Sequence, residues 1–593
     1  MYVLALAFSR SSTSLETSRT PPFAGAGQEL TEWMATSGIR MPDQLQLRRS
    51  RDHGWYVRAT AALKPEELVI SVPANMLISP HGLPLCAATA LGGDGCTSTL
   101  CATDVERVAL ALLRERERGS KSAWAPYLKA LPRVQGSLAG TLPARAETLL
   151  RGTYTQSIWS KLQPDVARLL RYGAALVSHP GGCMLKAEPT RAEALWALRQ
   201  VRSRAFTVDQ KKKTKDQQHV LHARPFLAPG ADFFNHHPLA DMGWKIGQEE
   251  DQDRKTAAEQ VDESKEQQQQ EEVEEEEEEE VENEQEEEEE EEEEQEDEVK
   301  PVMATKGKGS RQGIDASSFR MYVINGVMPP ISDARDSDDA GEVEVFNHYQ
   351  TLSNAELFAT FGFAVENNAD DFIGIALAVS DTDPRASAKR AMLMRAGITD
   401  MEGKRVGLRW QPTEIALAQK QKMWRAGETI DSCAHKLLTN ARAVEPALLQ
   451  LARVVLMPEK FVDRCSRSQI AKLGEGASPF DSASAFGVSD DLDKQVLRQL
   501  GAGLSALGSG MAGGTVADDR MQLHFLEREL EVKLSASGDV LNPIQLEAST
   551  ARFALMCRLG EKQLIETAMR ELNHARGIAP NGQLLQDDTK TEL

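Results

Sequence analysis

A chain of 593 residues is too long for a single hydrophobic core and is expected to divide into two or three domains. It is 41% hydrophobic and 27% charged, an ordinary soluble composition, and no apolar run reaches the roughly 18 residues that a membrane-spanning helix needs. The net charge of −22 is confined to one segment: residues 249–300 hold 31 acidic against 4 basic residues, leaving 59 against 64 elsewhere, with no Lys/Arg stripe interleaved with aromatics to suggest a nucleic-acid surface.

In chain order, Met1 to Thr20 places a six-residue apolar patch, Val3 to Phe8, before Ser, Thr and Arg, with Glu16 as its single acid. Residues 1–28 therefore read as a targeting leader of plastid or mitochondrial type or as a disordered tail, and the compartment stays open between cytoplasm or nucleus and plastid. Residues 54–80 alternate β-branched and apolar residues, Trp55-Tyr56-Val57 and Leu68 to Pro73, around the turn-rich Lys64 to Glu67, and predict strands. Residues 102–200 change to helical spacing. Thr103 with Glu106 is a capping box ahead of Val105, Val108, Leu112 and Leu113, and two further helical stretches follow at Trp124 to Leu131 and Arg191 to Val201.

Lys211-Lys212-Lys213 and Lys215 form the densest basic run and read as a solvated loop. The Glu-rich stretch repels itself at i,i+4 and has almost nothing to bury, so residues 249–313 are expected to be disordered. It reads as a solvated spacer, with recruitment of a basic protein as the alternative. It lies between strand-like Met242 to Ile246 and Phe319 to Ile324, as a loop out of a hairpin. From 376 onward helices are expected, at 388–396, 410–424, 435–456, 490–506 and 549–575. Seven scattered cysteines without a CxxC pair exclude a zinc ribbon and fit free thiols in a reducing compartment.

Two segments carry the chemistry. Ala231-Asp232-Phe233-Phe234-Asn235-His236-His237 sets a carboxylate, an amide and an imidazole within an apolar stretch. By itself this is compatible with an Asx turn, or with a metal set joined by His219 and His222, although adjacent histidines on a strand point apart. Tyr349-Gln350-Thr351-Leu352-Ser353-Asn354-Ala355-Glu356-Leu357 places a tyrosine just ahead of a second capping box, Ser353 with Glu356, which fixes the helix start and so the tyrosine.

At this spacing, and with Phe361-Gly362-Phe363 following, the two segments resemble the cofactor floor and catalytic tyrosine of SET-domain protein methyltransferases. The branch is that of the Rubisco large-subunit lysine methyltransferase and the actin-histidine methyltransferases. The resemblance spans most of residues 30–575. It implies an α+β architecture: a β-rich SET fold over 29–375 with a helical insertion at about 83–200, then an all-α substrate-binding domain over 376–593. Arg558-Leu559-Gly560-Glu561-Lys562 echoes a segment common in that second domain.

The resemblance further implies S-adenosyl-L-methionine as cofactor, no metal, and Tyr349 as the catalytic residue. Asn235, His236 and Asp232 would form the cofactor wall, Phe363 would pack on the cofactor, and Arg204 would reach its carboxylate. Gly54 and Trp55 belong to the strand that cradles the methionine moiety. Two positions depart from the family pattern: Tyr56 replaces the second glycine of that strand, and Gln350 replaces the glycine after the tyrosine, where glycine permits close approach. Histidine-directed members carry Asn two residues after the arginine and Trp before the aspartate. Phe206 and Ala231 stand there in this chain, which points to a lysine-directed pocket. The implied activity is protein-lysine N-methylation, with protein-histidine methylation or a non-catalytic binding module as alternatives. A monomer is expected, with a protein substrate held by the C-terminal helical domain.

Overall fold

The computed structural model describes, with short gaps, residues 24–80, 101–132, 140–179, 185–213, 219–247, 318–323, 343–395, 406–412, 441–462, 490–535 and 543–576. The N-terminal tail before residue 24, the acidic tract and Lys215 lie outside them.

Small antiparallel sheets form the first half. Strand β1 (Leu45–Ser50) pairs with β2 (Gly54–Ala59), which pairs in turn with β8 (Val343–Glu344). A second sheet has the order β3-β7-β6, from β3 (Leu68–Pro73), β6 (Met242–Gly247) and β7 (Ser318–Val323). The acidic tract thus leaves and rejoins the fold through the β6–β7 pair, in full register from Met242↔Val323 to Gly247↔Ser318, as the flanking residues predict. A two-stranded ribbon, β4 (Phe206–Lys213) and β5 (His219–Phe226), completes this half.

Between β3 and β4 the described residues from 104 to 204 are mostly helical. The helix Asp104–Arg118 (α2, after α1 at Ala24–Thr36) starts on the Thr103–Glu106 capping box, with both reciprocal bonds formed. The helices α3 (Ala125–Ala130), α4 (Ala144–Leu150), α5 (Tyr154–Lys161), α6 (Val166–Val177) and α7 (Arg191–Arg204) follow. Their apolar faces share one core with the strands: Val108, Leu112, Leu198 and Val201 bury with Val57, Ile70, Phe226 and Phe319.

Helix α8 (Asn354–Thr360) opens on the second capping box, Ser353 with Glu356, also reciprocal. Beyond it lie β9 (Phe372–Gly374), α9 (Ala386–Arg395), β10 (Gly407–Gln411), β11 (Arg442–Val444), α10 (Pro446–Leu456), α11 (Asp490–Gly510), α12 (Val516–Ser535) and α13 (Pro543–Ala575). The α+β class is as expected, but the C-terminal region is not all-α. Residues 410–411 and 442–444 are strand where helices were expected, and β10 pairs on both sides, with β9 and β11. Leu408 and Trp410 are buried on alternate positions, the two-residue period of a strand, and Pro446 at the first turn delays the next helix. Cys101 is disulfide-bonded, which corrects the expectation of free thiols throughout; Cys557 is free and buried.

Helix α13 joins the two halves through the Arg558–Lys562 segment. Arg558 donates to both carboxylate oxygens of Asp519 at 3.0 and 2.7 Å, and Lys562 reaches Asp519 at 2.8 Å and the Gly514 carbonyl. Glu561 accepts from the Tyr154 and Thr155 N–H groups at 2.7 Å, at the N-terminus of α5. Gly560 lies so near Asp371 that an added Cβ would stand 2.5 Å from its Oδ2.

Candidate active site

Gly230 adopts φ 93°, and the chain then turns through Ala231–Phe233, which points Asp232 into the interior. The Asp232 carboxylate accepts from the Tyr127 hydroxyl at 2.8 Å, from Arg204 Nη1 at 3.1 Å and from the Gly230 N–H at 3.2 Å. Burial raises its pKa above the ordinary carboxylate range, against the pull of Arg204 and the hydrogen bonds. Arg204, at the end of α7, also donates to the Asp232 carbonyl and sits 6.0 Å above the Phe233 ring. Its Nη2 has no hydrogen-bond partner among the described residues.

Trp55 packs 6.2 Å from Phe233, and Tyr127 packs 6.0 Å from it. Trp55, Phe233, Arg204 and Tyr127 therefore form one continuous wall. Gly54 begins β2 at φ 73°, with nothing within 4 Å of where a Cβ would lie. Tyr56 shares the other face of β2 with Arg58, whose guanidinium lies 5.8 Å from its ring, so the Tyr56 side chain points away from this wall. Gln350 is exposed.

The two motif segments meet beside the wall. Residue 347 bridges His236 in parallel; the Asn347 N–H donates to the Asn235 carbonyl at 2.7 Å and the His237 N–H to the Asn347 carbonyl at 3.1 Å. On the opposite side Val345 bonds to Val57 of β2. Segment 345–349 is thus clamped between β2 and the extended segment 235–237. Tyr349 is fixed at both ends: its N–H donates to His236 Nδ1 at 3.1 Å and its hydroxyl to the Phe234 carbonyl at 2.9 Å. Burial raises the phenol well above its usual value, so the hydroxyl stays protonated. The His236 ring lies tilted 5.1 Å from Tyr349 and 6.3 Å from Phe363, and Phe361 lies 4.9 Å from Tyr349.

The structure therefore brings Gly54, Trp55, Arg204, Asp232, Asn235, His236, Tyr349 and Phe363 into one region. Asn235 is held by Glu344, which accepts from its Nδ2 at 2.7 Å. Phe206 opens β4, two residues after Arg204, and Ala231 immediately precedes Asp232: Ala231 is fully buried, and Phe206 joins an aromatic cluster 4.7 Å from Phe319 and 5.8 Å from Trp244. Sequence reasoning missed Tyr127, Glu344 and the pair His348–Asp370. Tyr127 reads as one more apolar position of an insertion helix, and nothing local marks its hydroxyl as an Asp232 partner.

His236 is buried and neutral, its pKa pushed down to about 3 chiefly by desolvation, with the neighbouring His348 and His237 adding to the effect. Since Nδ1 accepts from Tyr349, the proton resides on Nε2, a buried donor without a partner among the described residues. The folded value lies below the unfolded one. The stability gained by keeping this ring neutral is thus full above about pH 6.5 and is lost as pH falls toward 3. Its ring resonances, assigned with a His236→Asn variant, should stay unshifted from about pH 8 to about pH 5. A titration midpoint near the free imidazole value would show that Nδ1 is not committed.

No sequence-family model matches the chain, and no curated protein does. Solved structures do match over nearly the full length. The SET domain of LSMT bound to lysine and AdoHcy aligns with a TM-score of 0.55 at 16% identity, covering 94% of this chain and 92% of that one. The fold is that of a SET domain. Rubisco LSMT bound to sinefungin and monomethyllysine aligns at 0.52 and 15% identity, and Rubisco LSMT bound to AdoMet at 0.51 and 16%, each over 93% of this chain and 92% of its own. On this SET fold the unspent donors, Arg204 Nη2 and His236 Nε2, and the open side of Gly54 all belong to the region around the Trp55–Phe233 wall. Such a set suits a ligand that carries a carboxylate and hydrogen-bond acceptors on a flat apolar body.

Proposed function

We propose that the protein is an S-adenosyl-L-methionine-dependent protein-lysine N-methyltransferase. The observation that carries the reading is the crossing of segments 235–237 and 345–349, which fixes Tyr349 at both ends beside the Arg204–Asp232 wall. It lies on a fold shared with structures that bind lysine and AdoHcy.

When bound, the cofactor supplies an activated methyl group. Arg204, already pinned by Asp232, would hold its carboxylate through the remaining guanidinium nitrogen. His236 Nε2 would donate to an acceptor on it, Trp55 and Phe363 would cover its apolar surfaces, and the Asn235 backbone would complete the floor. Tyr349 cannot act as a base, because its hydroxyl keeps its proton; it orients the acceptor nitrogen, whose approach must be in line. An aromatic at 206 and a small residue at 231 suit the long methylene chain of a lysine. In the same proposal the C-terminal helical region holds the protein substrate, the acidic tract recruits a basic segment of it, and the protein acts as a monomer.

The test is methyl transfer from radiolabelled S-adenosylmethionine to a cell lysate. Discrete labelled bands, mapped to lysine, are expected. Tyr349→Phe should lower the labelling rate by about 10²–10³-fold, the scale of losing one positioned hydroxyl at a reacting centre, while calorimetric cofactor affinity changes little. Label on histidine would move the activity to histidine methylation. The absence of both label and cofactor binding would leave a binding module.

A further inference from the structure

We propose that His348, held by Asp370, accepts the proton that the substrate ammonium must lose before it can attack. The inference rests on the function proposed above. A lysine ammonium with an ordinary pKa of about 10.4 is protonated at neutral pH and has no lone pair to offer. Some group must take that proton, and the groups already described are committed elsewhere. The Tyr349 hydroxyl is protonated and donates to Phe234. Asp232 is occupied by Tyr127, Arg204 and Gly230. His236 Nδ1 accepts from Tyr349, and Glu344 accepts from Asn235.

His348 differs from all of these. It immediately precedes Tyr349, its ring lies 5.7 Å from that of His236, and its Nε2 lies 3.1 Å from Asp370 Oδ2. The two side chains keep 28% and 20% of their exposure, so the pair has an edge open to solvent. Asp370 is itself held: its N–H donates to Asn368 Oδ1, and Asn368 Nδ2 donates to the Leu352 carbonyl just ahead of α8. The carboxylate places the neutral ring's proton on Nε2 and leaves Nδ1 as the acceptor.

In the step, one ammonium N–H bond breaks and an Nδ1–H bond forms, directly or through one water. The amine regains its lone pair, and the imidazolium positive charge rests against Asp370. The proton then leaves to solvent by the open edge. The titratable groups facing His348 are Asp370 from the turn after α8, His236 from segment 235–237, and Tyr349 beside it.

The experiment measures labelling of the lysate bands against pH for the full-length protein, His348→Gln and Asp370→Asn, with cofactor binding followed by calorimetry. His348→Gln should slow labelling about 10²-fold near pH 7, the scale of a lost general base. The deficit should shrink below about tenfold near pH 9.5, as the amine begins to shed its proton to solvent. Asp370→Asn should show the same trend with a smaller loss, and cofactor affinity should stay within about twofold in both. A deficit equal at every pH, or one that tracks weakened cofactor binding, would overturn the proton-acceptor role while leaving the methyltransferase reading intact. Wild-type protein that neither labels nor binds cofactor would overturn both.

Discussion

Replacing Asp519 by alanine is expected to cost about 3–5 kcal/mol of stability, the range found when one partner of a buried ion pair is removed. Asp519 is almost wholly buried and is the shared acceptor for two cations that are themselves buried, Arg558 bidentately and Lys562 singly. Its loss leaves a largely buried guanidinium and ammonium without their counter-charge. Arg558 also donates to the Leu149 carbonyl, so the disturbance extends into α4. Denaturant unfolding should show a lower midpoint. Asp519→Asn should fall between, since its carbonyl oxygen still accepts but the counter-charge is gone. A loss below about 1 kcal/mol would mean that the cluster is hydrated in solution and behaves as a surface pair.

Asp232→Ala is expected to be comparably damaging and also to disable the site. The Asp232 side chain is inaccessible to solvent and Arg204 retains 19% exposure, so about 3–5 kcal/mol is again the expected scale. The Tyr127 hydroxyl, fully buried, would lose its acceptor as well. Because Arg204 takes its direction from Asp232, cofactor affinity should fall even under conditions where the variant remains folded. Calorimetry on a variant kept folded by cold and osmolyte would separate the two effects. Cofactor affinity unchanged in folded Asp232→Ala would show that Arg204 is positioned by α7 alone. Tyr127→Phe, which removes only one neutral hydrogen bond, should cost about 1 kcal/mol and leave the ion pair in place.

Local signals were legible where a few adjacent residues settle the structure. Both capping boxes, Thr103–Glu106 and Ser353–Glu356, form as written, because cap and acid lie three residues apart and need nothing else. The two strands flanking the acidic tract were legible in their own apolar residues, although their pairing, Met242 with Val323 at one end, is not a local contact. The meeting of Tyr349 with His236 could be anticipated only through resemblance, since 113 positions separate them and no local rule sets their distance. Tyr127 escaped because its role comes from a contact 105 positions away. At 407–411 the alternation of Leu408 and Trp410 with Arg409 was present, but it is short and was absorbed into a longer amphipathic reading. Strand identity there comes from β9 and β11 on either side. His348 and Asp370 stand 22 positions apart and are joined by the fold of the intervening α8 and its turn.

The cap that Glu561 places on α5 has a consequence for biosynthesis. Tyr154 and Thr155 are translated some 400 residues before the carboxylate that satisfies their N–H groups. At about 5–20 residues per second that interval is roughly 20–80 s, and the nascent chain must hold the start of α5 unsatisfied throughout it. Cys557, one turn earlier on α13, reaches the Asn354 carbonyl in the same final event. The seam between the two halves therefore closes only once α13 has been made. A chain truncated before α13 keeps segments 231–237 and 345–363 but lacks the residue that finishes α5, and it would be a natural target for chaperones and proteases.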